Sequence, residues 1–332
     1  MRRPVAYLLI ALAVTTLLSC NANSDRDKDL TDSEKLEALD IRIEKHPNDA
    51  TLHYERATLH MNMGRLKEAN SDIERAVELK PDNLDYRLLQ ADICFAGGNV
   101  DDSYKALSEA EKIDPESIEV QLKMGEVTFY SRDYERSLRC LSNVTAKEPD
   151  NRTALFMKGF IYKEMGDTAS AITLLRKVCD IYPDYSPAFE ELGVIYSTHH
   201  SPMTVEYLNT AIQLDPNNTN AIYALALYYQ DIQDFEQAES LYQRILDINE
   251  KSADTWHNLG YIELFHYRDY ERAIEYMTKA IESDPNCIEA YVNRGCAYEL
   301  SGQKKEARAD FEAALSIDSQ YEPAMEGLKR IK

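Results

Sequence analysis

Proline recurs in this sequence with a nearly constant period. Seven of the eleven prolines are 33 or 34 residues apart, or in one case about twice that: Pro47, Pro81, Pro115, Pro149, Pro183, Pro216 and Pro285. Proline interrupts helices, and a fixed period of this length is typical of repeat arrays. The spacing therefore predicts a series of helical repeats, each ending at a proline, and argues against the two globular domains that 332 residues would otherwise suggest.

Glycine follows the same period. We number each repeat so that its proline is position 32, which places the repeat starts at residues 50, 84, 118, 152, 186, 219, 253 and 288. Position 8 is then Gly or Ala in every repeat, and position 15 holds Gly64, Gly98, Gly166 and Gly302. A glycine inside a helix costs about 1 kcal/mol relative to alanine, so position 8 predicts a close contact between two helices. Position 15 predicts a turn with a left-handed residue.

Apolar residues indicate a second helix in each repeat. Positions 20, 24 and 27, which are Ala69, Ile73 and Ala76 in the first repeat, lie on one helical face. Together with Trp256 at position 4 of the seventh repeat, this pattern resembles the tetratricopeptide repeat, a pair of antiparallel helices. The resemblance covers residues 50–320, or eight units, and implies an all-α fold that is a right-handed α-solenoid.

The segments on either side of the array are predicted to be caps. Residues 33–46 form a lone amphipathic helix in this interpretation, and Thr31 opens its capping box. Residues 321–332 form a short C-terminal helix that begins near Pro323. Because the ends of a repeat array need polar covers, we expect the array to be closed on both sides.

Three repeats depart from the pattern. The fifth is one residue short near Pro202, the sixth ends in Glu250 where the others have proline, and the seventh is one residue long near His266. Two interpretations remain open. These departures are either tolerated variation in loop length, or they change the superhelical pitch between residues 197 and 270 and so shape a partner site.

The first twenty residues have the organisation of a leader peptide. Arg2 and Arg3 precede an apolar run over residues 5–18, which is shorter than the roughly 20 residues of a transmembrane helix. The run ends in Leu-Leu-Ser-Cys at residues 17–20, which resembles the lipobox of bacterial lipoproteins. The alternative is an ordinary secretory leader in which Cys20 is incidental.

The lipobox resemblance implies a membrane attachment. Residues 1–19 would be a signal peptide, Cys20 the acylated first residue of the mature chain, and residues 20–32 a flexible tether. These features predict a location in the bacterial cell envelope, as an outer-membrane lipoprotein attached through its lipid anchor.

Charge and motifs exclude several classes of function. Lys+Arg 37 against Asp+Glu 58 gives a net charge of −21, and because nucleic-acid binding needs a cationic face we expect no such partner. The sequence has no GxxxxGK[ST], GxGxxG, HExxH, GxSxG or CxxC motif, so we expect no enzyme activity and no cofactor. His53 and His60 occupy positions where buried side chains belong, which argues against a metal site. Whether Cys287 and Cys296 pair stays open.

The first helices supply the candidate binding residues. In the family, positions 2, 5, 9, 12 and 13 face the concave groove, and the resemblance implies a partner-binding groove formed by Tyr54, Phe95, Phe129, Tyr130, Phe156, Phe160, Tyr223, Leu227 and Tyr261. Acidic side chains accompany them in the second and third repeats, at Asp85, Asp92, Glu119 and Glu126. This combination favours a protein or peptide partner with apolar and basic residues. Alternatively, the aromatic rings pack between neighbouring first helices and do not reach solvent.

Two functions are consistent with these features. The favoured hypothesis is a membrane-anchored scaffold that holds an extended or helical segment of another protein, in envelope assembly, secretion or the organisation of cell-wall enzymes. No carboxylate clamp is expected, because positions 5 and 9 hold no Lys, Asn or Arg. The alternative is a glycan-binding lipoprotein in which groove aromatics stack on sugars, although Trp256, the one tryptophan, is already part of the repeat pattern.

Overall fold

The computed structural model describes residues 30–332 and is entirely helical in that range. The predicted signal peptide, the acylated Cys20 and most of the predicted tether lie outside the described residues. None of the helices between residues 30 and 332 combines the length and the apolar character needed to cross a bilayer.

Each repeat contributes a first and a second helix. The first helices are α2 (Ala50–Asn62), α4 (Leu84–Ala96), α6 (Ile118–Tyr130), α8 (Arg152–Glu164), α10 (Ser186–Ser197), α12 (Thr219–Asp231), α14 (Ala253–Ile262) and α16 (Ile288–Leu300). The second helices are α3 (Leu66–Leu79), α5 (Val100–Ile113), α7 (Tyr134–Lys147), α9 (Thr168–Ile181), α11 (Met203–Leu214), α13 (Phe235–Ile248), α15 (Tyr270–Ser283) and α17 (Lys304–Ile317). Helices α1 (Asp32–Lys45) and α18 (Glu322–Arg330) flank them. The predicted all-α fold class is confirmed.

The chain divides into two compact units. Unit 1 ends at Ser131 and contains α1 to α6, whereas unit 2 extends from Arg132 to Lys332 and contains α7 to α18. Within each unit, every helix packs chiefly against its neighbours in the chain. The division falls between the two helices of the third repeat.

The two helices of a repeat interlock between position 8 and a large side chain at position 24 or one residue to either side of it. A Cβ atom added at Gly159, Gly193, Gly260 or Gly295 would lie only 2.5–2.9 Å from a side-chain atom of the partner helix. The partner residues are Leu175, Leu208, Met277 and Phe311, all of them fully buried. The close contact predicted from the glycine pattern is therefore present in these four repeats.

The turn between the two helices contains a left-handed residue in every repeat. Glycine supplies it at the four predicted places, with φ between 72° and 84°. In the other four repeats a larger residue adopts the same conformation, with φ between 48° and 63°, namely Arg132, His200, Gln233 and Arg268. Because such conformations are unfavourable for non-glycine residues, the hairpin packing must hold these four turns in place.

The irregular repeats keep the interlocking contact. Gly193 faces Leu208 after 15 residues and Gly260 faces Met277 after 17, where Gly159 and its partner are 16 apart. In the fifth repeat the missing residue shortens α11 to 12 residues, compared with 14 in α9. In the seventh repeat the extra residue widens the end of the first helix into a π-helical turn, Glu263–Tyr267.

An acidic or amide side chain ends several second helices. The carboxylate of Asp114 accepts a hydrogen bond from the backbone N–H of Glu116 at 3.0 Å, and Asp284 and Asp318 form the same turn. Asn249 replaces the carboxylate at the end of α13 and accepts from the N–H of Lys251 at 3.2 Å. Because of this turn, α13 ends at the position in the repeat where the other second helices end, although Glu250 stands where the other repeats have proline.

The first and the last repeat each contain an Arg–Asp pair in which the carboxylate is buried and the guanidinium is half-buried. Arg56 donates two hydrogen bonds to Asp72, at 2.8 and 2.6 Å, and Arg294 donates two to Asp310, at 2.8 Å each. Both pairs join position 7 of the first helix to position 23 of the second. Since removing one partner of a buried pair leaves an uncompensated charge, these bonds fix the hairpins at the two ends of the array.

We predict that Gly193→Ala destabilises the protein by about 1–3 kcal/mol, because the new methyl group would overlap Leu208. The free energy of unfolding in urea measures this effect. The double variant Gly193→Ala, Leu208→Ala is the control, since removing the leucine side chain removes the overlap. The loss of stability in the double variant should then be smaller than the sum of the losses in Gly193→Ala and in Leu208→Ala alone. Additive losses would contradict the interlocking contact.

Candidate partner-binding surfaces

Unit 1 has an acidic surface on its first helices, which we define as Asp85, Asp92, Glu119 and Glu126. Lys123 is the cation among them: its buried ammonium group donates to both carboxylate oxygens of Asp92, at 2.7 and 2.9 Å, and lies 3.8 Å from Glu119. Tyr54 lies near this surface: burial raises the pKa of its hydroxyl, and the neighbouring Asp85 raises it further. Lys123 therefore pairs with two of the four carboxylates, Asp92 and Glu119, and lies near a third, Glu126.

Glu126 differs from the other unpaired carboxylate, the exposed Asp85, in being partly buried. It is half-buried, and none of the described residues forms an ion pair with it. Burial raises its pKa to about 7; Lys123 lowers it and the nearby Asp92 raises it further. Burial also raises the pKa of Asp92, although its bonds to Lys123 oppose the shift. An incoming cation would therefore stabilise the ionised form of Glu126.

The predicted aromatic residues of unit 1 pack in pairs. Tyr54 stacks on Tyr86 with ring centroids 4.9 Å apart, and Phe95 contacts Tyr130 edge to face at 5.1 Å. Phe129 contacts Tyr130 at 5.4 Å. These rings are all half-buried, namely those of Tyr54, Phe95, Phe129 and Tyr130. Both sequence interpretations therefore apply in part, because the rings pack against one another and their residues are still partly exposed to solvent.

Phe156 in unit 2 does not line a surface. Its side chain is 0% exposed and packs against Tyr185 with ring centroids 5.3 Å apart. The expectation that this ring contacts a partner is therefore corrected, because position 5 of this repeat lies beneath its neighbours. Phe160 is half-buried, and the ammonium group of Lys163 lies over its ring, 4.3 Å from the centroid.

Polar side chains at position 6 reach back to the first helix of the preceding repeat. Lys123 does so in unit 1, and in unit 2 the amide of Asn258 donates to the hydroxyl of Tyr223 at 2.8 Å. The amide of Asn293 bonds Nε2 of His257 at 2.9 Å. Glu191, also at position 6, pairs with Lys163. The sequence interpretation missed these residues, because position 6 is not among the groove positions of the family.

The aromatic surface of unit 2 is most accessible in the seventh repeat. Tyr261 is 41% exposed, and its ring lies 4.5 Å from that of Phe265, which is 50% exposed. Tyr223 and Leu227 on α12 are half-buried. Phe265 stands at position 13, within the π-helical turn. Because position 13 is a groove position of the family, this position was the available sequence signal, but Phe265 was not among the predicted groove residues.

The histidines, cysteines and tryptophan that the sequence raised for metal binding, disulfide formation or sugar binding can now be placed in the structure. His53 and His60 lie 3.6 and 3.9 Å from Asp72, which Arg56 already binds. No group of three or more potential ligands in residues 30–332 is placed to hold a metal ion. Cys287 and Cys296 are both free thiols. The indole N–H of Trp256 donates to the carbonyl of Glu250 at 2.8 Å.

Comparison with known families identifies the repeat. Family models of the tetratricopeptide repeat match residues 54–118, 153–185, 223–286 and 288–321, which together are more than half of the chain. Superkiller protein 3 of Schizosaccharomyces pombe is 28% identical over 144 residues, which is 41% of this chain and 10% of that protein. The chain thus spans a small part of the length of this curated relative.

Solved structures share the fold. The Cut9–Hcn1 hetero-tetramer of the APC/C superimposes with a TM-score of 0.56 at 18% identity, over 90% of this chain and 58% of that chain. The C-terminal part of a TPR repeat-containing protein from Cytophaga hutchinsonii gives a TM-score of 0.58 at 16% identity, over 74% of this chain and 99% of that chain. At these identities the likeness concerns the fold alone.

We predict that the two phenylalanines of α8 contribute unequally to the stability of the fold. Phe156→Ala should lower the free energy of unfolding by about 3–5 kcal/mol, because it leaves a cavity in a fully buried site. Phe160→Ala should lower it by less than half as much, since that ring is only partly buried. Urea unfolding of both variants measures the difference. Equal losses would contradict the assignment of Phe156 to the core and of Phe160 to the surface.

Proposed function

We propose that this chain, which belongs to the tetratricopeptide repeat family, is a protein-binding scaffold whose first helices hold a segment with basic and apolar residues. The observation that carries the proposal is the acidic surface of unit 1. There, Lys123 pairs with Asp92 and Glu119 while Asp85 and Glu126 have no ion pair among the described residues, and half-buried aromatic rings lie on the same first helices.

Charge balance specifies the kind of partner. Asp85 has no ion pair within the described residues and is exposed, while Glu126 is half-buried without one. A Lys or Arg side chain from a partner would compensate these carboxylates, and its apolar neighbours would cover Tyr54 and Phe95. An acidic partner would instead meet like charge.

Binding of a cation at this surface is linked to proton release. With a pKa of about 7, Glu126 is largely protonated at pH 6 and largely ionised at pH 8. A bound Lys or Arg lowers that pKa and displaces the proton. Affinity for a basic segment therefore increases with pH across this interval. The stability of the unliganded protein changes with pH in the opposite direction. The pKa of Glu126 in the folded protein is higher than its value of 4.5 in the unfolded chain, so stability falls as the pH rises from about 4.5 to about 7.

Selection from a peptide library, followed by affinity measurements on single peptides, tests the proposal. We expect selected peptides to be rich in Lys or Arg beside bulky apolar residues. Their affinity should be about tenfold higher at pH 8 than at pH 6, because one proton with a pKa near 7 is released on binding. In Glu126→Gln this pH dependence should disappear.

Glu68→Gln is the matched control for this experiment. Glu68 is an exposed carboxylate in the same unit, on the second helix α3, and its replacement changes the net charge by the same amount. It should leave both the affinity and its pH dependence unchanged. Selection of acidic peptides, or equal effects of the two substitutions, would contradict the proposal.

The location that we propose for this protein is the bacterial cell envelope. What supports it is the leader-like order of Arg2, Arg3, the apolar run and Cys20. An acylated Cys20 would tether the scaffold to the outer membrane, where envelope assembly, secretion and cell-wall enzymes supply protein partners. A lipid anchor of several acyl chains is effectively permanent.

Expression in a bacterial host tests the anchor. The protein should incorporate labelled fatty acid and sediment with membranes, whereas Cys20→Ala should abolish the label and release the chain from the membrane fraction. Protease treatment of intact cells then distinguishes a surface location from a periplasmic one. Membrane association without label, or label that persists in Cys20→Ala, would exclude the lipoprotein.

A further inference from the structure

The seventh repeat carries an exposed aromatic pair, Tyr261 and Phe265, at positions 9 and 13 beside its extra residue. The π-helical turn Glu263–Tyr267 is held from below by Leu264, which is buried against Ala273 and Ala297. Arg272 pairs with one oxygen of the buried Glu263 at 2.8 Å, and the other oxygen has no hydrogen bond. An unsatisfied buried carboxylate oxygen and a π turn are both unfavourable, and such features concentrate at functional sites.

The next first helix also has an exposed apolar side chain at the corresponding position. Leu300 on α16 occupies position 13, the same position as Phe265, and is 57% exposed. Tyr261, Phe265 and Leu300 together are what we call the apolar end of repeats seven and eight. Large apolar side chains grouped on an otherwise polar surface mark an interaction site in soluble proteins.

Carboxylates occupy the other end of the same two helices. Asp254 and Glu289 both stand at position 2, and neither forms an ion pair among the residues described. Both lie near enough to His257 to raise its pKa, against the larger lowering effect of burial. Because burial favours the neutral imidazole, His257 does little to compensate the two carboxylates.

The two ends have a defined separation. Nine residues separate Asp254 from the middle of the Tyr261–Phe265 pair, which corresponds to about 13 Å along a helix at about 1.5 Å per residue. An extended chain rises about 3.3 Å per residue, so about four residues cover the distance. An even number places both side chains on the same side of an extended chain.

We propose that repeats seven and eight bind an extended segment of another protein in which Lys or Arg is four residues from a bulky apolar residue. The basic side chain meets Asp254 and Glu289, and the apolar one packs on Tyr261, Phe265 and Leu300. This inference rests on the proposed function, and it adds a second surface, in unit 2, with its own spacing requirement.

Phage-displayed peptides of 12 residues, selected on the full chain, test the proposal. We expect one class of peptides with a spacing of four between Lys or Arg and a bulky apolar residue. Synthetic versions with spacings of three or five should bind at least about tenfold more weakly in fluorescence anisotropy. Phe265→Ser and Asp254→Asn should each lower the affinity about tenfold, and because both side chains are exposed the thermal melting curves should stay unchanged.

Tyr267→Ser is the matched control. Tyr267 is 48% exposed, like Phe265, but its hydroxyl points to Glu239 on the second helix α13, at 3.4 Å. This variant should retain wild-type affinity. Equal losses in Tyr267→Ser and Phe265→Ser, or no dependence on spacing, would overturn the proposal.

Two further outcomes separate this inference from the proposed function. If the selected peptides lose affinity in Glu126→Gln and none does in Phe265→Ser or Asp254→Asn, the unit 2 surface is excluded while the scaffold function stands. Binding of uncharged oligosaccharides that is lost in Phe265→Ser and unchanged in Asp254→Asn would replace the peptide with a glycan.

Discussion

The close approach of the two helices in each repeat is the constraint from which the rest of the structure follows. A glycine or alanine at position 8 lets a large side chain at position 24 fill the space between the helices, as Phe311 does against Gly295. The contact persists when the connection loses or gains a residue, because Gly193 and Gly260 still face Leu208 and Met277. The loops are therefore free to vary, and the variation appears at the surface.

Much of the fold could be predicted from the sequence because its determinants are local. The period of Pro and Gly marks where helices end and turn, and left-handed residues are found at all four glycines of position 15. The exceptions are equally local in cause: Arg268 takes the left-handed conformation without being glycine, and Asn249 ends α13 without proline. Neighbouring packing and a side-chain turn replace the usual residue in these places.

The candidate surfaces were less predictable, because exposure depends on contacts between repeats. Position 5 is a surface position in the family, yet Phe156 is fully buried while Tyr54, at the same position, is half-buried. Lys123 was not a candidate, although it decides how much of the acidic charge stays uncompensated. Phe265 is exposed at groove position 13, like Leu300 in the next repeat, although it lies in a π turn that the periodic pattern does not describe.

The side chains at position 6 have a consequence for how such a chain changes over time. Asn258 orients Tyr223, and Asn293 orients His257, so each of these rings takes its environment from the repeat that follows it. A single repeat moved elsewhere by duplication or recombination would arrive without the amide that completes it. The heritable unit is thus the junction between two repeats, and an exchange that preserves the environment of these rings has to carry both sides of a junction.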